Sequence, residues 1–451
     1  MARKLFGTDG VRGVAGEMLT GELALALGRA ATVQAAPPRP QVLIIRDTRE
    51  SGDMLEAALA AGVTSAGGDV LLGGILPTPA APLLISRFGF DLAAVISASH
   101  NPYADNGIKF FGPDGFKLSD EAEREIEAAL EEAAGASHPH ATADPDPASS
   151  TAIGRVRDLH GTQDDYLREL QVRFQDLRLD GLRVALDCAN GATYRVAPEI
   201  FRRLGATVTT LGDEPDGRNI NHHCGSTHLQ SLLELMGSGE HEVGFAFDGD
   251  GDRVLAVDRT RAVVDGDELL ALAAVHLRSR ERLPGPGVAV TVMTNFGFHS
   301  AMEQAGIDVV TTRVGDRYVL EELRARGWSL GGEQSGHIIE MGFVPSGDGI
   351  ATALLTLEAL GGRDLTERDA MEKLPQRLVN VRVRDRGALE ASPAVRDAVD
   401  RAAAGLEGRG RVLVRPSGTE PLVRVMVEAP SEQEADEVCS ALVSVVESEL
   451  A

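Results

Sequence analysis

One unit recurs three times along this chain, and it constrains the fold more than any other feature. An apolar run ends at an Asp or Asn, a helix-length stretch follows, and a Gly then leads into a second apolar run. The first copy runs from Val42–Ile45 with Asp47 to Val70–Leu72. The second runs from Val184–Leu186 with Asp187 and Asn190 to Gly205 and Val208, and the third from Val288–Val292 with Asn295 to Gly306 and Val309–Val310. Short apolar strands separated by about 20–28 residues that include a helix read as βαβ units of largely parallel sheets. Three similar α/β domains in series are expected.

The last segment has a different pattern. Val412–Arg415 and Leu422–Glu428 read as two strands, the second alternating Leu422, Arg424, Met426 and Glu428 against Val423, Val425 and Val427. Ser431 followed by Glu434 is a capping box that opens a helix. That helix carries Ala435, Val438, Cys439, Leu442, Val446 and Leu450 on one face. Two strands packed by a terminal helix make a small α+β domain. The expected division is residues 1–155, 156–255 and 256–368 for the three α/β domains and 369–451 for the last. The Ala/Pro/Ser-rich stretch Ala133–Ile153 reads as a surface loop or connection between domains.

Charge narrows the function. The 451 residues carry 44 Lys+Arg against 68 Asp+Glu, a formal net charge of −24. So acidic a chain does not hold nucleic acid or an anionic membrane through its overall field. An anionic ligand would need a local cationic pocket set against that field. Only Lys4, Lys109, Lys117 and Lys373 are lysines, so each is informative. Three cysteines, Cys188, Cys224 and Cys439, are too few for a disulfide scaffold and fit a reducing cytosol. The N-terminus shows no apolar signal-peptide core. The longest uncharged apolar stretch, Val70–Ser86, is short and carries three prolines. A cytoplasmic protein is expected.

The chemistry lies in loops that follow apolar runs. Asp248-Gly249-Asp250-Gly251-Asp252-Arg253 follows Val243–Phe247, and three carboxylates alternating with glycines can fold round one hard divalent cation, Mg²⁺ above all. Without a cation they would repel one another. A calcium EF-hand is excluded, because its Gly and Glu positions hold Arg253 and Arg259. Ser97-Ala98-Ser99-His100-Asn101-Pro102 follows Leu92–Ile96 and presents a serine hydroxyl at a strand end. Nothing supports a Ser–His–Asp acyl-transfer triad. A serine paired with a metal loop points to phosphoryl transfer, with Ser99 as the nucleophile and Ser97 mattering far less. Arg415-Pro416-Ser417-Gly418-Thr419-Glu420-Pro421 with Arg424 supplies the materials of a phosphate cradle. Gly332-Glu333-Gln334-Ser335-Gly336-His337 offers a carboxylate, a hydroxyl and an imidazole to a sugar or an amine. Phe6-Gly7-Thr8-Asp9-Gly10-Val11-Arg12-Gly13 adds an arginine, and Asn106-Gly107-Ile108-Lys109 a rare lysine. His222, His223, Cys224 and His228 match no common zinc spacing and read as a polar loop.

In this order, these motifs closely resemble those of the α-D-phosphohexomutase superfamily, from Phe6 to Arg424. The opening FGTDGVRG, the PDGRNIN of Pro215–Asn221 and the Glu333-Gln334-Ser335 loop are similar to its glucosamine branch. The resemblance implies three α/β domains of mixed four-stranded sheets and a fourth α+β domain round a central cleft. It implies that Ser99 carries a phosphate in the active enzyme and that Asp248, Asp250 and Asp252, with a phosphoserine oxygen, hold Mg²⁺. The phosphate would pass to a 6-phosphosugar, and the resulting 1,6-bisphosphate would turn round and return its 6-phosphate to Ser99. By the same resemblance Arg415, Ser417, Gly418, Thr419 and Arg424 would grip the phosphate that is not transferred. Glu333 and Ser335 would read the sugar, and Arg12, Lys109 and His337 would flank the transfer, His337 and Lys109 as acid and base. Glucosamine 6-phosphate and glucosamine 1-phosphate would be interconverted for cell-wall precursors, with a hexose 1,6-bisphosphate as activator. No nucleic acid or membrane partner is implied, and there is room for a homodimer. A phosphoglucomutase or phosphomannomutase, a Mg²⁺-dependent sugar phosphatase and a non-catalytic sugar-phosphate sensor remain as alternatives.

Overall fold

The computed structural model describes residues 5–7, 9–35, 38–135, 153–385, 388–416 and 422–450. The chain divides into two units. The first holds residues 1–292 and 310–368, and the second 293–309 and 369–451.

In the first unit the runs Val42–Ile45, Leu92–Ile96, Val184–Leu186, Val243–Phe247 and Val288–Thr291 are buried on both faces, as a continuous apolar run requires. The strands that hold Val70–Leu72, Val208 and Val309–Val310 are half-exposed. The first sheet contains β1 (Val11–Val14), β2 (Gln41–Arg46), β3 (Asp69–Ile75), β4 (Leu92–Ile96), β5 (Asp105–Phe111) and β6 (Val156–Asp158), in the order β1-β5-β4-β2-β3-β6. Strands β3 and β4 lie parallel to β2, and β5 runs antiparallel to β4. The second sheet contains β7 (Arg183–Asp187), β8 (Thr207–Leu211), β9 (Val243–Phe247), β10 (Val254–Asp258) and β11 (Val263–Val264), in the order β11-β10-β9-β7-β8. The third contains β12 (Gly287–Thr291), β13 (Asp308–Thr312), β14 (Leu330–Gly332) and β15 (Ile338–Glu340), in the order β13-β12-β14-β15.

The three sheets share one four-stranded core. Its spatial orders, β5-β4-β2-β3, β10-β9-β7-β8 and β15-β14-β12-β13, are the same arrangement of successive strands. The four-stranded expectation describes this core; β1 and β6 extend the first sheet and β11 the second. In each core the third strand to be made, β4, β9 or β14, lies parallel to the first and turns back into an antiparallel partner. Those three turns carry Ser99, the Asp248–Asp252 loop and Glu333. The repeat thus delivers one chemical loop per sheet from an equivalent position.

The second unit is built on a three-stranded antiparallel sheet of β16 (Gln376–Arg382), β17 (Arg411–Pro416) and β18 (Leu422–Glu428), in the order β16-β18-β17. The sequence reading found β17 and β18 and missed β16, which is mostly exposed and polar. Val423, Val425 and Val427 share a core with Ala435, Cys439, Leu442, Val446 and Leu450 of the helix Glu432–Leu450. Ser431 Oγ accepts from Glu434 N at 3.2 Å, as the capping box requires. The helix that follows β12, Phe296–Gln304, belongs to this second unit. The helix Asp120–Gly135 covers the start of the stretch read as a connection, and residues 136–152 lie outside the described ones. No described helix is long and apolar enough to cross a membrane.

Candidate active site

Ser99 is buried and sits in the left-handed backbone region at φ 52°. A non-glycine residue holds that conformation only where its surroundings impose it. Ser97 Oγ accepts from Ser99 N at 2.9 Å and donates to Asp47 Oδ2 at 2.6 Å. Asp47 in turn pairs at 2.9 Å with Arg49, both fully buried. The Arg49 guanidinium donates to the carbonyls of Ser99 and Asn101 at 3.0 and 2.9 Å. Asn221 Nδ2 donates to the same two carbonyls at 2.9 and 3.0 Å. The serine turn is therefore clamped from two sheets, and its hydroxyl donates to Asp248 Oδ2 at 2.5 Å.

Asp248, Asp250 and Asp252 are all buried, and an oxygen from each lies within 4.8 Å of the others. Oδ1 of Asp250 and Oδ1 of Asp252 are buried with no hydrogen-bond partner among the described residues. Unmatched carboxylate oxygens of this kind are costly unless a cation meets them. An oxygen-only set of three suits Mg²⁺, so these residues fit the metal. The loop geometry demands its glycines: Gly251 has φ 72°, and a Cβ on Gly249 would lie 2.4 Å from the Ser99 carbonyl oxygen.

Charge on the triad is uneven. Burial, then Asp252 and Asp250, push the Asp248 carboxyl well above its ordinary range. Burial acts the same way on Asp250, but Lys109 and a hydrogen bond from Thr78 outweigh it and hold the group below its ordinary range. Lys109 Nζ lies 2.9 Å from Asp250 Oδ2 and 3.0 Å from Asp9 Oδ2. Those carboxylates overcome its burial and raise its affinity for a proton, so Lys109 is held charged. Asp9 also pairs with Arg12, whose Nε is buried without a partner among the described residues. Arg253 donates its N–H to Asp248 Oδ1 at 3.2 Å, and its side chain lies 3.3 Å from His100 Nδ1.

A cleft of about 380 Å³ opens beside these groups. Arg12, His100, Asp252, Arg253, Glu333 and His337 are among the residues that line it. Glu333 Oε1 accepts from Gly315 N at 3.0 Å. His337 Nε2 accepts from Gly347 N at 3.3 Å and lies 3.7 Å from Asp252 Oδ2. Ser335 is exposed and is not among the lining residues.

In the second unit Arg415 and Arg424 face each other across β17 and β18. Burial and the Arg424 charge together lower the proton affinity of Arg415, and Arg424 Nε is buried without a partner among the described residues. Like charges directly opposite on a sheet are destabilising, which an anion between them would relieve. Ser417, Gly418 and Thr419 lie outside the described residues.

Family models described as phosphoglucomutase/phosphomannomutase, alpha/beta/alpha domains I, II and III, match residues 3–136, 164–261 and 265–378, and the model of the C-terminal domain matches 378–445. A phosphoglucosamine mutase of Desulforudis audaxviator is 51% identical over 447 residues, covering 98% of this chain and 97% of that protein. The chain belongs to the phosphoglucosamine mutase family. Members of that family are isomerases. Among solved structures, a phosphoglucomutase/phosphomannomutase family protein from Burkholderia thailandensis shares the fold, with a TM-score of 0.79 at 24% identity over 98% of this chain and 97% of that one. The N-acetylphosphoglucosamine mutase of Aspergillus fumigatus, solved in complex with GlcNAc-6P and magnesium, superposes with a TM-score of 0.68 at 19% identity, over 99% of this chain and 96% of that one.

For a phosphoglucosamine mutase, the sequence singled out the groups that meet at the triad: Ser99, Asp248, Asp250, Asp252 and Lys109. It also named Arg12, Glu333 and His337 of the cleft. It assigned nothing to Asp9, Arg253, Asn221, Lys117 or Asp316. Asp9 and Arg253 lie inside quoted motifs, and their charge was the available signal. Asn221 ends PDGRNIN, but only the fold shows that its amide holds the serine turn.

Proposed function

We propose that this chain interconverts glucosamine 6-phosphate and glucosamine 1-phosphate through a phosphate carried on Ser99. The observation that carries this reading is the Ser99 hydroxyl, forced into a left-handed turn and held 2.5 Å from a carboxylate of the triad. In the forward direction the bond from phosphorus to Ser99 Oγ breaks as a bond forms to O1 of the sugar 6-phosphate. The sugar hydroxyl gives up its proton and Ser99 Oγ receives one. The 1,6-bisphosphate then turns, and its 6-phosphate returns to Ser99.

His337 is the acceptor of the sugar proton in this scheme, because its ring lines the cleft beside Asp252. Lys109, fixed between Asp250 and Asp9, stays protonated and steadies negative charge on the reacting oxygens. Arg12 presents an unpaired guanidinium nitrogen near the same groups. Arg415 and Arg424, with Ser417, Gly418 and Thr419, hold the phosphate that is not transferred. Asp248, Asp250 and Asp252 would hold Mg²⁺, which when bound neutralises charge on the transferring phosphoryl group. Glu333 faces the sugar, with Ser335 on the same loop, and a hexose 1,6-bisphosphate restores phosphate lost from the serine.

Two measurements on the purified chain test this. Intact-mass analysis with peptide mapping should find one phosphoryl group, on Ser99. Incubation with glucosamine 6-phosphate, Mg²⁺ and a hexose 1,6-bisphosphate should yield the 1-phosphate without net release of inorganic phosphate. Net hydrolysis instead would make the protein a phosphatase.

A further inference from the structure

Asp250 is held through one of its two oxygens. Its Oδ2 accepts from Thr78 Oγ1 at 2.7 Å and from Lys109 Nζ at 2.9 Å. A carboxylate oxygen offers about two lone pairs, so these two donors occupy both. The other oxygen, Oδ1, is buried and has no hydrogen-bond partner among the described residues. Oδ1 is therefore what Asp250 has left for a cation.

Thr78 is well placed to keep that arrangement. It is buried in the turn between β3 and the helix Ala80–Phe88, with Pro77 and Pro79 on either side. Pro79 restricts the backbone of the residue before it, and a β-branched side chain has few χ1 positions. The Thr78 N–H donates to the Asp250 carbonyl at 2.8 Å, so main chain and hydroxyl grip the same residue. The loop is also tied at Gly251, whose carbonyl accepts from Gly349 N at 2.9 Å. A Cβ on Gly251 would lie 2.5 Å from Thr193 Cγ2 and 3.1 Å from Pro77 Cβ, so turn and loop are in close contact.

The number of oxygens on offer bears on the choice of metal. Ca²⁺ takes about six to eight, at roughly 2.3–2.6 Å, and often both oxygens of one carboxylate. Mg²⁺ is smaller, demands a near-ideal octahedron and is served by single oxygens. We propose that Thr78 is a positioning residue that sets the metal preference of the triad. By occupying Asp250 Oδ2 it restricts that carboxylate to one-oxygen coordination and favours Mg²⁺ over Ca²⁺. This inference rests on the reading of the triad as a metal site. Lys109 shares the same oxygen but brings a charge with it, whereas the Thr78 hydroxyl is neutral. Thr78 is thus the group through which the coordination can be altered without altering the charge.

Thr78→Val keeps the branched shape and removes the donor. One lone pair of Oδ2 is then free, and the carboxylate can turn both oxygens to a larger cation. The test is titration calorimetry of the full chain with Mg²⁺ and, separately, with Ca²⁺, on wild type and variants matched for bound phosphate by intact mass. Thr78→Val should weaken Mg²⁺ roughly tenfold and hold Ca²⁺ within about twofold. Thr78→Ser restores the donor and should keep the Mg²⁺-to-Ca²⁺ ratio within about twofold of wild type. Thr78→Ala also lacks the hydroxyl, should move the ratio in the same direction as Thr78→Val, and carries the test if that variant does not fold. A hydroxyl that only ties the turn to the loop would weaken both metals equally, and that result overturns the proposal. An equal shift of the ratio in Thr78→Ser overturns it as well. A wild type that binds no Mg²⁺ overturns instead the metal reading beneath it.

Discussion

The Tyr166 hydroxyl donates to the Asp348 carboxylate, 3.0 and 2.9 Å from its two oxygens, although the residues are 182 positions apart and both buried. Asp348 also caps the helix Gly349–Leu360, accepting from Ala351 N at 2.9 Å. Burial dominates, and raises its carboxyl to about 7.

A carboxyl whose folded value lies above its ordinary 3.8 binds its proton more tightly when folded. Its stabilisation is complete below about pH 4 and is lost as pH rises to 7. Asn caps a helix about as well as Asp and does not ionise. Asp348→Asn should therefore lie closest to wild type near pH 4 and gain on it as pH rises, by about 2–4 kcal/mol between pH 5 and 8. Thermal unfolding of both proteins from pH 5 to 8 checks this, and parallel curves would remove Asp348 as the titrating group.

The serine turn yields a second prediction, and here the structure revises the sequence reading. Ser97 was expected to matter far less than Ser99. It is the strut beneath it, bonded to Ser99 N and to Asp47. Ser97→Ala leaves a buried N–H unmatched and should cost about 1–3 kcal/mol of stability. It should also slow turnover, because the left-handed conformation of Ser99 loses a support. Ser99→Ala should do the opposite, with unfolding little changed and both isomerisation and the bound phosphate gone. Thermal unfolding and intact mass on both variants separate the two roles.

The legible parts of this fold were those written locally. Runs such as Val42–Ile45 and Val243–Phe247 are continuous because both faces are buried, so strand and loop could be placed from the pattern alone. The Asp248–Asp252 triad was legible for the same reason, since one short loop supplies all three acids. Strand β16 was missed because only Val381 of Gln376–Arg382 is fully buried, which leaves the alternation too weak to read. Asp47–Arg49, Asn221 and the pairing of Lys117 with Asp9 and Asp316 were silent for a different reason. Each works through a contact that only tertiary packing creates, such as Asn221 reaching the Ser99 carbonyl 122 residues away.

The metal loop can be tested by binding as well as by turnover. Asp250→Asn removes a carboxylate that Lys109 and Thr78 hold ready at 2.9 and 2.7 Å. Gly249→Ala places a Cβ 2.4 Å from the Ser99 carbonyl oxygen, so loop and serine turn must move apart. Each should weaken Mg²⁺ binding by roughly tenfold or more in titration calorimetry. In wild type, EDTA should stop isomerisation and added Mg²⁺ restore it. Full activity in excess EDTA would exclude a metal-held triad.

Substrate choice depends on Glu333. Near neutral pH the 2-position of glucosamine 6-phosphate is mostly an ammonium group, whereas glucose 6-phosphate has a neutral hydroxyl there. Among the carboxylates lining the cleft, Asp252 belongs to the triad, and Asp9 and Asp316 are each paired with Lys117. Among the described residues Glu333 accepts one backbone hydrogen bond, from Gly315, which orients it, and it feels the charge of Arg253, with which it has no hydrogen bond. A charge-assisted contact contributes about 1.5–3 kcal/mol, which predicts a preference for the amino sugar of roughly 10- to 150-fold in kcat/KM. Ser335 on the same loop is exposed, so its hydroxyl is the weaker candidate. Glu333→Gln keeps the shape, can still accept from Gly315, and loses the charge. It should bring the two substrates within a few-fold of each other, while Ser335→Ala should keep most of the wild-type preference. The measurement is kcat/KM for both sugar phosphates in the three proteins. Loss of preference in Ser335→Ala alone would move recognition of the amine to the serine, and equal values in wild type would place the specificity with the neutral-sugar mutases.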